Sequence, residues 1–130
     1  MQHLDPLAAH AFLQSHPDAV FIDCRTEIEH MYVGHPVGAE HVAWQEAPDW
    51  EIDPDFASKV KRVLKGNIEC PVLVICRSGQ RSVDACRALE EAGFTQAINV
   101  LEGFEGSLDE DFHRGTLGGW RYHGLPWQQS

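Results

Sequence analysis

The sequence predicts an α/β fold: a mainly parallel central sheet with helices on both faces. Short apolar, largely β-branched runs at Ala19–Cys24, Val72–Ile75 and Ala97–Leu101 alternate with helical patterns. Strand–helix alternation of this kind favours parallel pairing with crossover helices. The runs show no polar alternation, as expected of strands covered on both faces. At 130 residues the chain is expected to be one domain over residues 1–130, long enough for a real core.

The elements follow in order. Asp5-Pro6 is a helix cap followed by proline at the first helical position. Leu7, Ala8, Ala11 and Phe12 then fall on one stripe. AVFIDC, Ala19–Cys24, reads as a buried strand, and a short helix is expected from Thr26 to Tyr32. GHPVGA, residues 34–39, is a turn-rich break. His41–Trp44 is a candidate short strand, and residues 45–52 are irregular. Asp53-Pro54 repeats the cap-plus-proline signal before an apolar face of Phe56, Val60, Val63 and Leu64. Lys59, Lys61, Arg62 and Lys65 form its wet face, and Gly66 stops the helix. Val72–Ile75 is the clearest strand and Ser82–Ala92 the clearest helix, with Val83, Cys86 and Leu89 on one side. Ala97–Leu101 is a further strand. A loop rich in glycine and acidic residues, a GGW break and a segment ending YHGLPW close the pattern.

Composition narrows the function. The net charge is -10, from 20 acidic against 10 basic residues, which argues against a nucleic-acid surface. No apolar run reaches membrane-spanning length, and the N-terminus lacks a secretory pattern. The expected setting is cytoplasmic, with reduced cysteines and neither nucleic acid nor membrane as partner. The cysteines are Cys24, Cys70, Cys76 and Cys86, without a CxxC pair, so neither a zinc ribbon nor a dithiol motif is signalled. No metal or cofactor is expected.

CRSGQR, residues 76–81, carries the chemistry. Cys76 ends a strand, where ligands bind in open α/β sheets. The next helix starts within a few residues, so its free N–H groups and positive dipole end face the loop. Arg77 and Arg81 add charge, and Gly79 lets the loop turn its amides inward as an anion nest. Such surroundings favour a thiolate, the nucleophilic form. An ordinary core cysteine explains neither the arginines nor the glycine. Cys86, on an apolar helix face, Cys24, continuing a buried strand, and Cys70, in a connector, are read as structural.

Several stretches resemble the rhodanese family of sulfurtransferases. CRSGQR is similar to that family's six-residue active-site loop. FIDCRTEIE, residues 21–29, resembles its strand ending D-x-R with a glutamate beyond. GHPVGAEHV resembles its G-H-I-x-G-A-x-x-I stretch, EEAGFTQAINVLEGFEGS its A-G-F-x-x-V-x-x-L-x-G-G-x, and GLPW its closing G-L-P. Together they run from Val20 to Trp127 in the family's order. The proline of GHPVGA stands one place early, with one residue added before Gly34. Phe104 replaces the second glycine of L-x-G-G, and residues 107–119 read as an insertion; these departures bear on the pocket rim and so on substrate choice.

The resemblance implies a thiosulfate sulfurtransferase-like enzyme acting through a Cys76 persulfide. A small anionic sulfur donor and a thiol or cyanide acceptor are implied, with a protein acceptor as an alternative. Cys76 is the catalytic residue. Arg77, Ser78, Gly79, Gln80 and Arg81 bind substrate and persulfide, with Ser78 and Gln80 serving through their backbone. Asp23 and Arg25 either brace the loop or form a plain ion pair. A phosphatase or arsenate reductase is the first rival, but it uses C-x5-R where this chain has C-x4-R. A non-catalytic regulatory module is the second, and an intact Cys76 speaks against it. His30, His35 and His41 lack metal-ligand spacing and are read as surface or capping residues. The acidic group from Glu102 to Asp111 is read as a solvated loop. The tryptophans can be core or rim.

Overall fold

A computed structural model describes residues 1–130. Its elements are β1 (Gln2–Leu4), α1 (Pro6–Ser15), β2 (Val20–Asp23), a π-helical turn (Glu29–Val33), β3 (His35–Pro36), β4 (Glu40–His41), α2 (Phe56–Val63), β5 (Val72–Ile75), α3 (Arg81–Glu91), β6 (Ala97–Val100) and β7 (Trp127–Gln128). Five strands form one sheet in the order β1-β6-β5-β2-β4, and every pairing in it is parallel. β3 and β7 make a separate antiparallel pair. No helix is long and apolar enough to cross a membrane.

Side chains of β5 alternate between two cores, because a strand turns successive residues to opposite faces. Val72, Val74 and Cys76 pack with Phe56, Val60 and Leu64 around α2 and with Ala85, Cys86 and Leu89 of α3. Leu73 and Ile75 pack on the other face with Ala9 of α1, Phe104, Trp120 and Leu125. All four residues of β5 are buried, and truncating Leu73 or Ile75 to alanine is expected to cost about 2–5 kcal/mol. The sheet is thus covered on both sides, and the C-terminal ends of β2 and β5 lie side by side through the register Asp23↔Ile75.

Several expectations shift. Asp5 caps α1 through Ala8 N–H, but the helix buries Pro6 and Ala9, leaving Leu7 55% exposed and Ala11 in solvent. Its inward stripe is turned one residue from the predicted one. The helix expected at Thr26–Tyr32 is largely the π-helical turn at Glu29–Val33. Only Glu40–His41 pairs as a strand, although Val42 and Trp44 N–H groups continue to donate to Asp23 and Cys24 carbonyls. β1 and β7 were not expected, since two or three residues show no periodicity. Trp44 and Trp120 are core; Trp50 and Trp127 are rim.

The histidines are the clearest correction. His35 is 6% exposed. His30 stacks on His35 with ring centroids 3.8 Å apart and on His41 at 4.8 Å. Their polar atoms are used internally: His30 Nδ1 lies 2.7 Å from Asp23 Oδ2, His35 Nδ1 pairs with the His30 carbonyl, and His41 Nε2 with the Arg25 carbonyl. Scattered in sequence, the three converge where the chain leaving β2 folds back along it.

Candidate active site

Cys76 follows the last residue of β5 and is 1% exposed. Gly79 N–H donates to its Sγ at 3.1 Å. Gly79 has φ +97°, and a Cβ there would lie 3.2 Å from the Glu102 amide nitrogen, so the turn that aims this N–H needs glycine. Ser82 Oγ lies 3.2 Å from the same sulfur.

The loop is held from behind by the segment after β6. Phe104 N–H donates to the Cys76 carbonyl at 2.8 Å, and Glu105 N–H to the Arg77 carbonyl at 2.9 Å. This close approach depends on Gly103, with φ +65°. A Cβ there would sit 2.5 Å from the Arg77 carbonyl carbon and 2.6 Å from the Cys76 oxygen.

The two loop arginines differ. Arg77 is exposed and lines two clefts. One, of about 300 Å³, is shared with Glu29, Gln45, Trp50 and Arg81. The other, of about 230 Å³, is shared with Ser78, Gln80, Ser107, Leu108 and Arg114. Arg81 is half-buried, and its guanidinium meets Glu29 in a fork: Nη1–Oε1 3.0 Å and Nη2–Oε2 2.9 Å. Burial pushes the Glu29 carboxyl up, but the Arg81 hydrogen bonds and charge prevail and hold it below the usual range. Burial likewise opposes the charge on Arg81, which Glu29 overrides. Glu29 is anchored in turn by Thr26 N–H and Oγ1.

Asp23 and Arg25 form a buried pair, both 0% exposed. Arg25 Nε and Nη2 donate to the two Asp23 oxygens at 2.9 and 2.7 Å, and Nη2 also reaches the Gly34 carbonyl. Burial pushes the Asp23 carboxyl up, while the His30 and Arg25 hydrogen bonds pull it down, with a net value of about 2. Arg25 Nη1 has no polar partner, but the guanidinium carbon lies 4.6 Å from the Phe104 ring centroid, a cation–π contact that offsets part of its burial. Phe104 therefore links this pair to the Cys76 carbonyl. It stands where the resembled pattern has glycine.

The remaining cysteines fit structural roles. Burial, then the neighbouring Cys76 and Asp23, raise the Cys24 thiol well above its ordinary value. Burial pushes Cys86 up to about 12. All four cysteines are free. No group of three His, Cys, Asp or Glu could hold a metal ion.

Sequence reasoning missed Glu29 as the partner of Arg81, and it missed Ser82, Asn99 and His3. Ser82 Oγ donates to Asn99 Oδ1 at 2.5 Å, and Asn99 Nδ2 lies 3.1 Å from His3 Nδ1. The available signal was Asn99 itself, an amide inside the otherwise apolar run of β6, where a buried polar group needs a partner.

The fold agrees with comparisons to known proteins. The chain belongs to the rhodanese-like family, whose domain model matches residues 8–110. It is similar to the crystal structure of Rv0390 from M. tuberculosis, with 39% identity, a TM-score of 0.88 and coverage of 100% of this chain and 98% of that one. It is 27% identical to an uncharacterized protein of Rickettsia rickettsii, with 98% of each chain covered. The polysulfide-sulfur transferase homodimer from Wolinella succinogenes shares the fold, at 24% identity and TM-score 0.66, covering 100% of this chain and 80% of that one.

Proposed function

We propose that the protein is a sulfurtransferase that passes a sulfane sulfur from a small anionic donor, such as thiosulfate, to a thiol or cyanide through a persulfide on Cys76. The observation that carries this is a buried thiol with a glycine N–H on its sulfur, beside an exposed, unpaired Arg77 at the junction of two clefts. The family, and a fold neighbour that is a polysulfide-sulfur transferase, support the same class of chemistry.

In the first step the Cys76 thiolate attacks the outer sulfur of thiosulfate. A new S–S bond forms, the donor's S–S bond breaks, and sulfite leaves with the electron pair. In the second step an acceptor thiolate or cyanide attacks the outer persulfide sulfur, and the Cys76 thiolate returns. This is double-displacement covalent catalysis.

Arg77 attracts the anionic donor and stabilises charge on departing sulfite. The Gly79 N–H, with backbone N–H groups from Arg77 through Arg81, holds the anionic sulfur; Ser78 and Gln80 act through their backbone. Arg81, tied to Glu29, contributes its field and fixes the start of α3. The Asp23–Arg25 pair braces the loop through Phe104. Four free cysteines suit a reducing, cytoplasmic setting.

The test is paired assays with thiosulfate plus cyanide and with an aryl phosphate. Thiocyanate formation that disappears in Cys76→Ser supports the proposal. Phosphate release without thiocyanate overturns it.

A further inference from the structure

We infer that Ser82, Asn99 and His3 form a positioning chain that stabilises the Cys76 thiolate by reversing the direction of its hydrogen bonds. The inference rests on Cys76 being the nucleophile. The chain runs from Cys76 Sγ to Ser82 Oγ (3.2 Å), Asn99 Oδ1 (2.5 Å) and, from Asn99 Nδ2, His3 Nδ1 (3.1 Å). Ser82 and Asn99 are 0% exposed; His3 is exposed on edge strand β1. The fold sets each link: Ser82 lies in the first turn of α3, and Asn99 is in register with His3 on one side and Val74 on the other.

Proton counting gives the chain two directions. A hydroxyl has one proton. With Cys76 as a thiol, S–H donates to Ser82, Ser82 to Asn99 Oδ1, and Asn99 Nδ2 to an unprotonated His3 Nδ1. With Cys76 as a thiolate, the Ser82 proton turns to sulfur. Asn99 Oδ1 then faces a hydroxyl oxygen with no proton between them. A half-turn of the amide restores a bond at each link: Nδ2 donates to Ser82, and Oδ1 accepts from His3 Nδ1–H.

That state gives the thiolate two donors, Gly79 N–H and Ser82 O–H, and it requires a proton on His3 Nδ1. The Cys76 S–H bond breaks and its proton leaves to solvent; the neutral His3 ring moves its single proton from Nε2 to Nδ1 by exchange with solvent, which its exposure allows. When sulfur is loaded the charge moves to the outer atom, Sγ has no proton to donate, and Ser82 O–H is free to return to Asn99 Oδ1.

Other groups act on the same sulfur: Cys24 at the end of β2, and Cys86 and Arg81 on α3. Near β1, the Met1 amino group pairs with Glu90 of α3 at 2.9 Å. These groups are left intact in the variants below.

The experiment follows iodoacetamide alkylation of Cys76 against pH, read by mass spectrometry of its peptide, in a Cys70→Ser background. Ser82→Ala is expected to move the midpoint up by about one pH unit, and Ser82→Thr to restore it. His3→Phe, on an exposed edge, is expected to move it the same way by less. Circular dichroism checks the fold of each variant. Midpoints of Ser82→Ala and His3→Phe that coincide with wild type overturn the inference, even if absolute rates fall. Separately, a shifted midpoint in a protein that takes no sulfur from thiosulfate supports the chain while refuting sulfur transfer.

Discussion

Arg81 and Glu29, 52 positions apart in sequence, are joined by two parallel hydrogen bonds of 3.0 and 2.9 Å. The pair ties the first residue of α3 to the turn after β2, and both residues line the cleft shared with Arg77. A fork of this geometry fixes orientation as well as charge. Arg77, by contrast, is exposed and lines the cleft.

The pair is mostly shielded, with side chains 22% and 18% exposed. A double-mutant cycle of Glu29→Gln and Arg81→Met, read by chemical denaturation, is expected to give a coupling of about 1–2 kcal/mol. Additive effects would show that the fork does not hold the loop.

Arg77 has the opposite signature. Arg77→Ala is expected to raise KM for thiosulfate about tenfold or more, from loss of a charge-assisted contact. Stability should stay within about 0.5 kcal/mol, as for an exposed side chain. Steady-state kinetics and thermal melts check both. An unchanged KM would remove Arg77 from donor binding.

Asp23 predicts an acid limb of stability. Its folded value of about 2 lies below the ordinary aspartate value of about 3.9. Its contribution is therefore present above about pH 4 and is lost as pH falls toward 2, a change on the order of 2 kcal/mol. Asp23→Asn should cost about 3–5 kcal/mol at neutral pH by leaving Arg25 buried without its partner, and should flatten that limb. Denaturation at a series of pH values measures this; parallel limbs in the two proteins would contradict it.

Gly103 predicts a loss of activity without chemistry at the substituted site. Gly103→Ala places a Cβ 2.5 Å from the Arg77 carbonyl carbon, so the Cys76 loop must move. A displacement near 1 Å is expected to lower thiocyanate formation by roughly 100-fold. Wild-type rates in a folded Gly103→Ala would show that this close approach does not set the loop.

Much of this was legible in the sequence where one short stretch carries its own signal. Val72–Ile75 is apolar throughout, and the strand stands there; Cys76 to Ser82 encodes the strand end, the turn and the helix start in consecutive residues. What was not legible depends on partners distant in sequence. Glu29 reads as one acid among 20 acidic residues until the fold brings it to Arg81. His3 lies 96 positions from Asn99, in a strand too short for any period. The stack of His30, His35 and His41 arises from a chain reversal, which spacing does not encode. Leu7 faces solvent because the helix is rotated by its packing against the sheet, a tertiary effect.

The most direct test of sulfur transfer is the intact mass of the protein after thiosulfate treatment and removal of excess donor. A gain of one sulfur atom is predicted, mapped to Cys76, reversed by cyanide and absent in Cys76→Ser. An unchanged mass, or sulfur that persists in Cys76→Ser, would contradict it.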